Sequence, residues 1–409
     1  MKRIRVWTII LFILFLLPVN IYSLDFDIYS KNAILYNTKE NKIMYEKNST
    51  DKVSIASLTK ITTGIVALEN IKNLDDKVTL TEKDFEGLAE ANAAVAGFRI
   101  GQEVTYRDLM YGLLLPSGAD AAQALTRNIS GSNEKFVKLM NEKAKELKLE
   151  NTHYANPTGL DDPNNYSTVK DVFTVFQYAL NNEDFKEMVT TMTYVTSDGS
   201  ITFKSTFTKA AALSIDYIKG GKTGTTGDAG LCLASIANYD NTDFILITTG
   251  AKYVRGSLNN FVDHKMIYEF VRANYDYQEV VNPEDVLVTL KTEYLKEDTI
   301  DFKSPKKIVM YLDKDFNKKK LFYKYSGTKV ITRKNKNGEK LGKVDIIYDK
   351  EKLASIDIVL KDKPRFSIIK YLLAHKLIVG IVLLVLIIFI FRTKKHKKIK
   401  IKVKKKKRR

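Results

Sequence analysis

Three short segments carry residue types that could transfer an acyl group. In Ser54-Ile55-Ala56-Ser57-Leu58-Thr59-Lys60, Ser57 and Lys60 are three apart and share a face if the segment is helical. A lysine so placed accepts the serine proton once burial or a nearby positive charge lowers its pKa. At a helix start the Ser57 N–H would also stand at the positive end of the macrodipole, where an oxyanion is stabilised. The spacing by itself has little weight here. Ser49, Ser132, Ser167, Ser304, Ser326 and Ser367 also precede a lysine by three positions, and each reads singly as a solvated surface pair.

The second segment, Lys222-Thr223-Gly224, is the only Lys-Thr-Gly in the chain and falls at the end of a predicted strand. A cation and a hydroxyl on a strand edge suit a substrate ending in a carboxylate. Gly224 allows close backbone approach, and the N–H of Thr225 could complete an oxyanion hole. Ser117-Gly118-Ala119-Asp120 follows Pro116 and precedes a predicted helix, so alone it reads as a helix N-cap. Cys232 is the single cysteine, which excludes an intramolecular disulfide and reads as a buried structural thiol. His153, His264, His375 and His396 have no metal-ligand spacing, so no zinc site is expected.

The elements that must position these residues can be placed from periodicity. Ala33–Tyr36 and Lys42–Tyr45 read as a hairpin around Thr38–Asn41. Ser57 to about Asn70 reads as a helix with Ile61, Ile65 and Leu68 on one face. Residues 80–190 look mainly helical, with candidates at Tyr106–Leu115, Ala119–Ile129 and Glu134–Leu147. Strands return at Tyr217–Thr223, Leu231–Tyr239 and Phe244–Thr249, and a helix is expected over Asn259–Asn274. Beyond Pro283, Asp285–Leu290, Lys307–Leu312, Lys329–Thr332, Lys343–Tyr348 and Ser355–Leu360 are short β-branched segments of a small all-β domain, a spacer or docking module by default. The first domain is expected to be mixed α/β.

Taken together and in this order, the three segments resemble the signature of the penicillin-recognising serine enzymes: Ser-x-x-Lys, Ser-x-Asn, Lys-Thr-Gly. Ala33–Lys60, Asn151-Thr152-His153-Tyr154, Pro157-Thr158-Gly159-Leu160-Asp161-Asp162-Pro163, Tyr166-Ser167-Thr168 and Gly220–Thr226 narrow the resemblance. They are similar to the low-molecular-mass D-alanyl-D-alanine carboxypeptidases over roughly residues 30–275. A fainter likeness at Gly338-Glu339-Lys340-Leu341-Gly342 reaches the second domain. The resemblance implies an α/β (α+β) β-lactamase/transpeptidase-like domain and peptidoglycan stem peptides as substrate, with β-lactams as covalent inhibitors. It implies Ser57 as nucleophile, Lys60 as base and Ser117 as proton relay, with no metal or organic cofactor needed. Lys222, Thr223, Gly224 and Thr225, with Arg255 loosely aligned, would bind substrate. Ala119 departs from the pattern, because it stands where the family carries asparagine.

Charge places the chain. Arg392–Arg409 holds thirteen Lys or Arg, and Lys2, Arg3 and Arg5 add three. Removing these sixteen from the 66 basic residues leaves 50 against 48 acidic ones, so the body is nearly neutral and the net +18 is no nucleic-acid signal. Val6–Leu17 behind three cations, with Ile21-Tyr22-Ser23 as cleavage site, has the layout of a signal peptide, an uncleaved anchor being the competing reading. The apolar run Leu377–Phe391, extended to Tyr371, reads as a membrane-spanning helix. Its basic flank puts the tail in the cytoplasm and the catalytic domain outside. The expected plan is a signal peptide over 1–23, a catalytic domain over 24–278 and a β-rich domain over 279–365. A spanning helix over 371–391 and a basic cytoplasmic tail over 392–409, with affinity for anionic lipid, complete it. Rival readings are a β-lactamase-like hydrolase, an endopeptidase acting on cross-links, and a catalytically weakened wall-binding or scaffold protein, for which Ala119 is the argument.

Overall fold

The structure, a computed structural model, describes residues 26–239 and 241–406; the expected leader over residues 1–23 lies outside them. One unit ends at Tyr275 and the other begins at Asp276, three residues before the expected boundary.

The first unit is organised by a five-stranded antiparallel sheet. Its strands are β1 (Asn32–Asn37), β2 (Lys42–Lys47), β3 (Ile218–Thr226), β4 (Gly230–Tyr239) and β5 (Thr242–Ala251), in the order β2-β1-β5-β4-β3. Side chains alternate across the pleat. Ile34, Tyr36, Ala234, Ile236, Ile245 and Ile247 enter the main hydrophobic cluster with the helices. Ser235 and Thr248 instead hold His264, at 2.7 and 3.0 Å, on the helix Asn259–Asn274. β3, with the Lys-Thr-Gly segment, is the edge strand, so one side of its backbone is free of sheet pairing.

The helical layer contains α1 (Thr59–Asn70), α2 (Tyr106–Leu114), α3 (Ala119–Ser130), α4 (Asn133–Glu146), α5 (Val169–Ala179) and α6 (Glu183–Thr190). α1 touches all five others, which is why Thr59–Ala67 is buried all round rather than on one stripe. Side-chain caps fix four of the other helix starts: Thr105 for α2, Ser132 for α4, Thr168 for α5 and Asn182 for α6. Expected and observed helix ends differ by at most one residue, except at Ser57, where they differ by two. A 3-10 turn, Ala56–Leu58, precedes α1, so Ser57 lies just before the α-helix and not on its first residue.

The second unit carries β6 (Tyr275–Val281), β7 (Val286–Thr292), β8 (Thr299–Lys303), β9 (Ile308–Asp313), β10 (Phe322–Gly327), β11 (Val330–Ile331), β12 (Lys340–Tyr348) and β13 (Glu351–Val359). They form a β6-β9 pair, a β8-β7-β11 sheet and a β10-β12-β13 sheet. Leu287, Leu290, Ile331, Val344, Ile346 and Ile358 share one core. β6, β8 and β10 lie outside the segments expected from sequence. Two helices follow, α7 (Ile368–Ala374) and α8 (Lys376–Lys406), separated at His375, whose φ −109 and ψ 28 break the helix. The expected span from Tyr371 is therefore divided, and the one membrane-length apolar helical stretch among the described residues is Lys376–Lys394, of mean hydropathy 2.6 and none of it buried. That stretch is long and apolar enough to cross a membrane.

Candidate active site

Lys60 donates from Nζ to Ser57 Oγ at 3.0 Å and to the Thr158 carbonyl at 2.8 Å. Its place in the first turn of the enclosed helix α1 strips its hydration. Burial therefore brings its pKa down from 10.5 to about 7, with the Asp120 carboxylate opposing the shift. An amine near neutrality in hydrogen-bond reach of a hydroxyl is a competent general base.

The turn that presents Ser57 is built by its surroundings. Ala56 takes the left-handed conformation, φ 48, a strain of about 1–3 kcal/mol that packing must hold. Two glycines let neighbouring backbone close on it. A methyl at Gly224 would come within 3.0 Å of Ser57 N, and one at Gly159 within 2.1 Å of the Ala56 carbonyl oxygen. Gly159 also has φ 77, which favours glycine independently. Asn156 shapes this second loop, its Oδ1 accepting from Thr158 N, Thr158 Oγ1 and Gly159 N at 3.2, 2.9 and 2.7 Å. That closure aims the Thr158 carbonyl at Lys60.

Ser117 is not a helix N-cap. The cap of α3 is Gly118, without a side-chain bond. Ser117 sits at φ 68 and is 6% exposed, and its hydroxyl has no hydrogen-bond partner among the described residues. Ala119 next to it lines a cleft of about 1030 Å³ together with Ser57, Lys60, Thr158 and Thr225.

The β3 residues divide. Thr225 faces the cleft. Gly224 packs against the Ser57 turn. Thr223 donates from Oγ1 to Thr206 Oγ1 at 2.9 Å. Lys222 is fully buried, donates to the Thr223 carbonyl at 3.0 Å, and is not among the residues lining the cleft. Burial and the nearby Lys60 charge hold its pKa well below the usual lysine range. Arg255 is exposed on the turn after β5 and does not line the cleft, whereas Lys252 and Tyr253 of that turn do.

Five of the six other Ser-x-x-Lys serines have separate duties. Ser132 and Ser367 are helix caps that accept from the amide of the lysine three residues on. Ser49 donates to Glu46, Ser167 pairs with Thr152, and Ser304 donates to the Lys306 carbonyl. Cys232 is buried, which pushes its thiol up to about 12 and leaves it inert. Sequence reasoning missed Asn156, Asp120 and Lys252. The first stands beside a quoted motif and the second within one, but Lys252 has no local signal.

Comparison with known proteins agrees with this geometry. A peptidase family S11 model, described as D-alanyl-D-alanine carboxypeptidase, matches residues 19–266. The D-alanyl-D-alanine carboxypeptidase DacF of Bacillus subtilis is 29% identical over 340 residues, covering 81% of this chain and 85% of that protein. The D-alanyl-D-alanine carboxypeptidase of Streptomyces sp. strain K15 is 34% identical over 235 residues, 54% of this chain and 77% of its own length. Among solved structures, the Streptomyces K15 DD-transpeptidase matches with a TM-score of 0.56 and 30% identity, over 61% of this chain and 99% of its own. Penicillin binding protein 5 from Haemophilus influenzae, at 22% identity, shares the fold over 83% of this chain and 99% of its own, with a TM-score of 0.62. With a serine and a buried lysine in contact in one cleft, and the family model spanning more than half its length, the chain belongs to the D-alanyl-D-alanine carboxypeptidase family of serine peptidases.

Proposed function

We propose that this chain removes the terminal D-alanine from peptidoglycan stem peptides through an acyl-enzyme on Ser57. The observation that carries the reading is the 3.0 Å contact between Lys60 Nζ and Ser57 Oγ, with the lysine near neutrality in a buried position on the cleft wall. Lys60 takes the Ser57 proton as Oγ adds to the carbonyl of the penultimate D-alanine. The N–H groups of Ser57 and Thr225 stabilise the oxyanion, each worth roughly a hundredfold or more in rate. Collapse breaks the amide C–N bond, and Ser117, whose hydroxyl is free to turn, relays to the departing amine the proton that Lys60 took from Ser57. Water then adds to the Ser57 ester, Lys60 taking its proton and handing it to Ser57 Oγ as the ester C–O bond breaks.

Thr223 and the cationic turn after β5 suit the terminal carboxylate. Lys252 lines the cleft there and Arg255 follows three residues later, while Lys222 is buried within coulombic reach of Lys60. A β-lactam would acylate Ser57 by the same addition, its leaving nitrogen remaining tethered in the opened ring. The apolar helix Lys376–Lys394 and its basic flank support a single membrane span with the catalytic unit on the extracytoplasmic face. The units divided at Tyr275 read as a catalytic domain and a β-rich spacer.

The test is release of D-alanine from a pentapeptide ending in D-alanyl-D-alanine. The wild type releases it, and Ser57→Ala and Lys60→Ala do not. Release by Ser57→Ala at the wild-type rate would refute the mechanism. Substrate binding without release by the wild type would favour the weakened wall-binding reading that Ala119 raises.

A further inference from the structure

The cleft wall opposite β3 hangs on one buried carboxylate. Asp120 is fully buried on the first turn of α3, and four main-chain N–H groups converge on it. Oδ1 accepts from Ala96 N at 2.7 Å and Ala121 N at 2.9 Å; Oδ2 accepts from Gly97 N at 3.1 Å and Phe98 N at 3.4 Å. Beside these bonds, Ala119 N donates to the Ala94 carbonyl and Gly118 N to the Gly112 carbonyl, both at 2.8 Å. A methyl on Gly118 would meet Ala96 Cβ and Asp120 Oδ1 at 2.7 Å, so this point has room only for a residue without a side chain. The segment so fastened begins with Ala91–Ala94, which lines the cleft with Ala119 and Lys60. A neutral side chain could hold some of these amides. An ionised one holds all of them more strongly and projects its field into a low-dielectric site.

We propose that Asp120 is a positioning residue with a bracing and an electrostatic job: it bolts the Ala91–Phe98 segment to the Ser117 turn, and it fixes a buried negative charge within coulombic reach of Lys60. This rests on Lys60 being the general base. The Asp120 carboxylate of α3 bears on Lys60, whose own charge bears on Lys222 of β3; Asp161, Asp228, Lys31 and Lys252 also line the cleft. Burial lowers the Lys60 pKa and Asp120 raises it, so the carboxylate keeps the base from becoming too weak to take a serine proton. A purely structural aspartate would not touch the pH profile.

The experiment follows acylation of the full-length, detergent-solubilised protein by a fluorescent penicillin from about pH 5 to 9. It is run on wild type, Asp120→Asn and Asp120→Ala, with hydrogen exchange at Ala96 and Gly97. In the wild type the rate rises through the Lys60 titration and both amides exchange slowly. Asp120→Asn keeps an acceptor oxygen but loses the charge, and moves the acidic limb to lower pH. Asp120→Ala also frees the amides and lowers the plateau about tenfold or more. An unmoved limb in folded Asp120→Asn overturns the electrostatic job. Rapid exchange at Ala96 and Gly97 in the wild type overturns the bracing job, even where no variant folds. A wild type without an acidic limb near neutrality removes the Lys60 reading instead, and leaves the bracing to be decided by exchange.

Discussion

At the scale of single residues, the proposed catalysis turns on one lysine whose pKa burial brings down to about 7. Only the unprotonated amine can accept the Ser57 proton. Acylation should therefore rise with pH through about 7 and fall roughly tenfold per unit below it. A stopped-flow pH profile with a chromogenic β-lactam reads this directly, and a profile flat from pH 5 to 8 would contradict it (approximately the range in which a lowered lysine titrates). Lys252→Ala should raise KM for D-alanyl-D-alanine peptides about tenfold with little change in kcat, because it removes a cation from the cleft without touching the reacting atoms. Steady-state kinetics separate that from a loss confined to kcat. The meeting of Ser57, Lys60 and Thr225 in one cleft was legible because their segments stand at motif spacing. Lys252 was not, since a lysine among 66 basic residues gains meaning only when folding brings it to a cleft. Lys222 shows the reverse: its motif is plain, but its complete burial is a property of packing.

At the scale of elements, the nucleophile is placed by three backbones meeting rather than by a helix alone. Gly224→Ala would push β3 against Ser57 N, so acylation should drop about a hundredfold for a shift of about an ångström. The stability cost should be modest, about 1–3 kcal/mol of overpacking. Gly159→Ala is more severe, because its methyl would lie 2.1 Å from the Ala56 carbonyl oxygen at a positive φ. Thermal melts beside acylation rates distinguish the two, the second variant losing its fold and the first mainly its rate. The hairpin β1-β2, the strands β3 to β5 and the helices α2 to α4 were readable from alternation and 3.6-residue periodicity to within about two or three residues. The 3-10 turn at Ala56–Leu58 was not, since its left-handed alanine depends on the glycines packed around it. Likewise β6, β8 and β10 escaped notice. Their exposed faces carry Asp276, Asp301 and Lys324, which dilute the apolar signal of a strand paired on one side.

At the scale of the whole molecule, the chain keeps a nearly neutral body between strongly basic ends. The residues of the candidate site all fall before Tyr275, and the apolar stretch Lys376–Lys394 follows the second unit. Truncation after Arg365 should therefore move the protein from the membrane to the soluble fraction while leaving penicillin acylation within about twofold of the full chain, since no cleft residue is removed. Flotation with anionic vesicles checks the first outcome and a gel of labelled protein the second. The central claim is the covalent bond at Ser57. Its most direct test is intact mass spectrometry of the full-length protein after incubation with a penicillin, beside Ser57→Ala. A single adduct of the drug's mass, mapped to the peptide containing Ser57 and lost in the variant, is the predicted result. A folded wild type that gains no mass, or an adduct that persists in Ser57→Ala, would contradict the account.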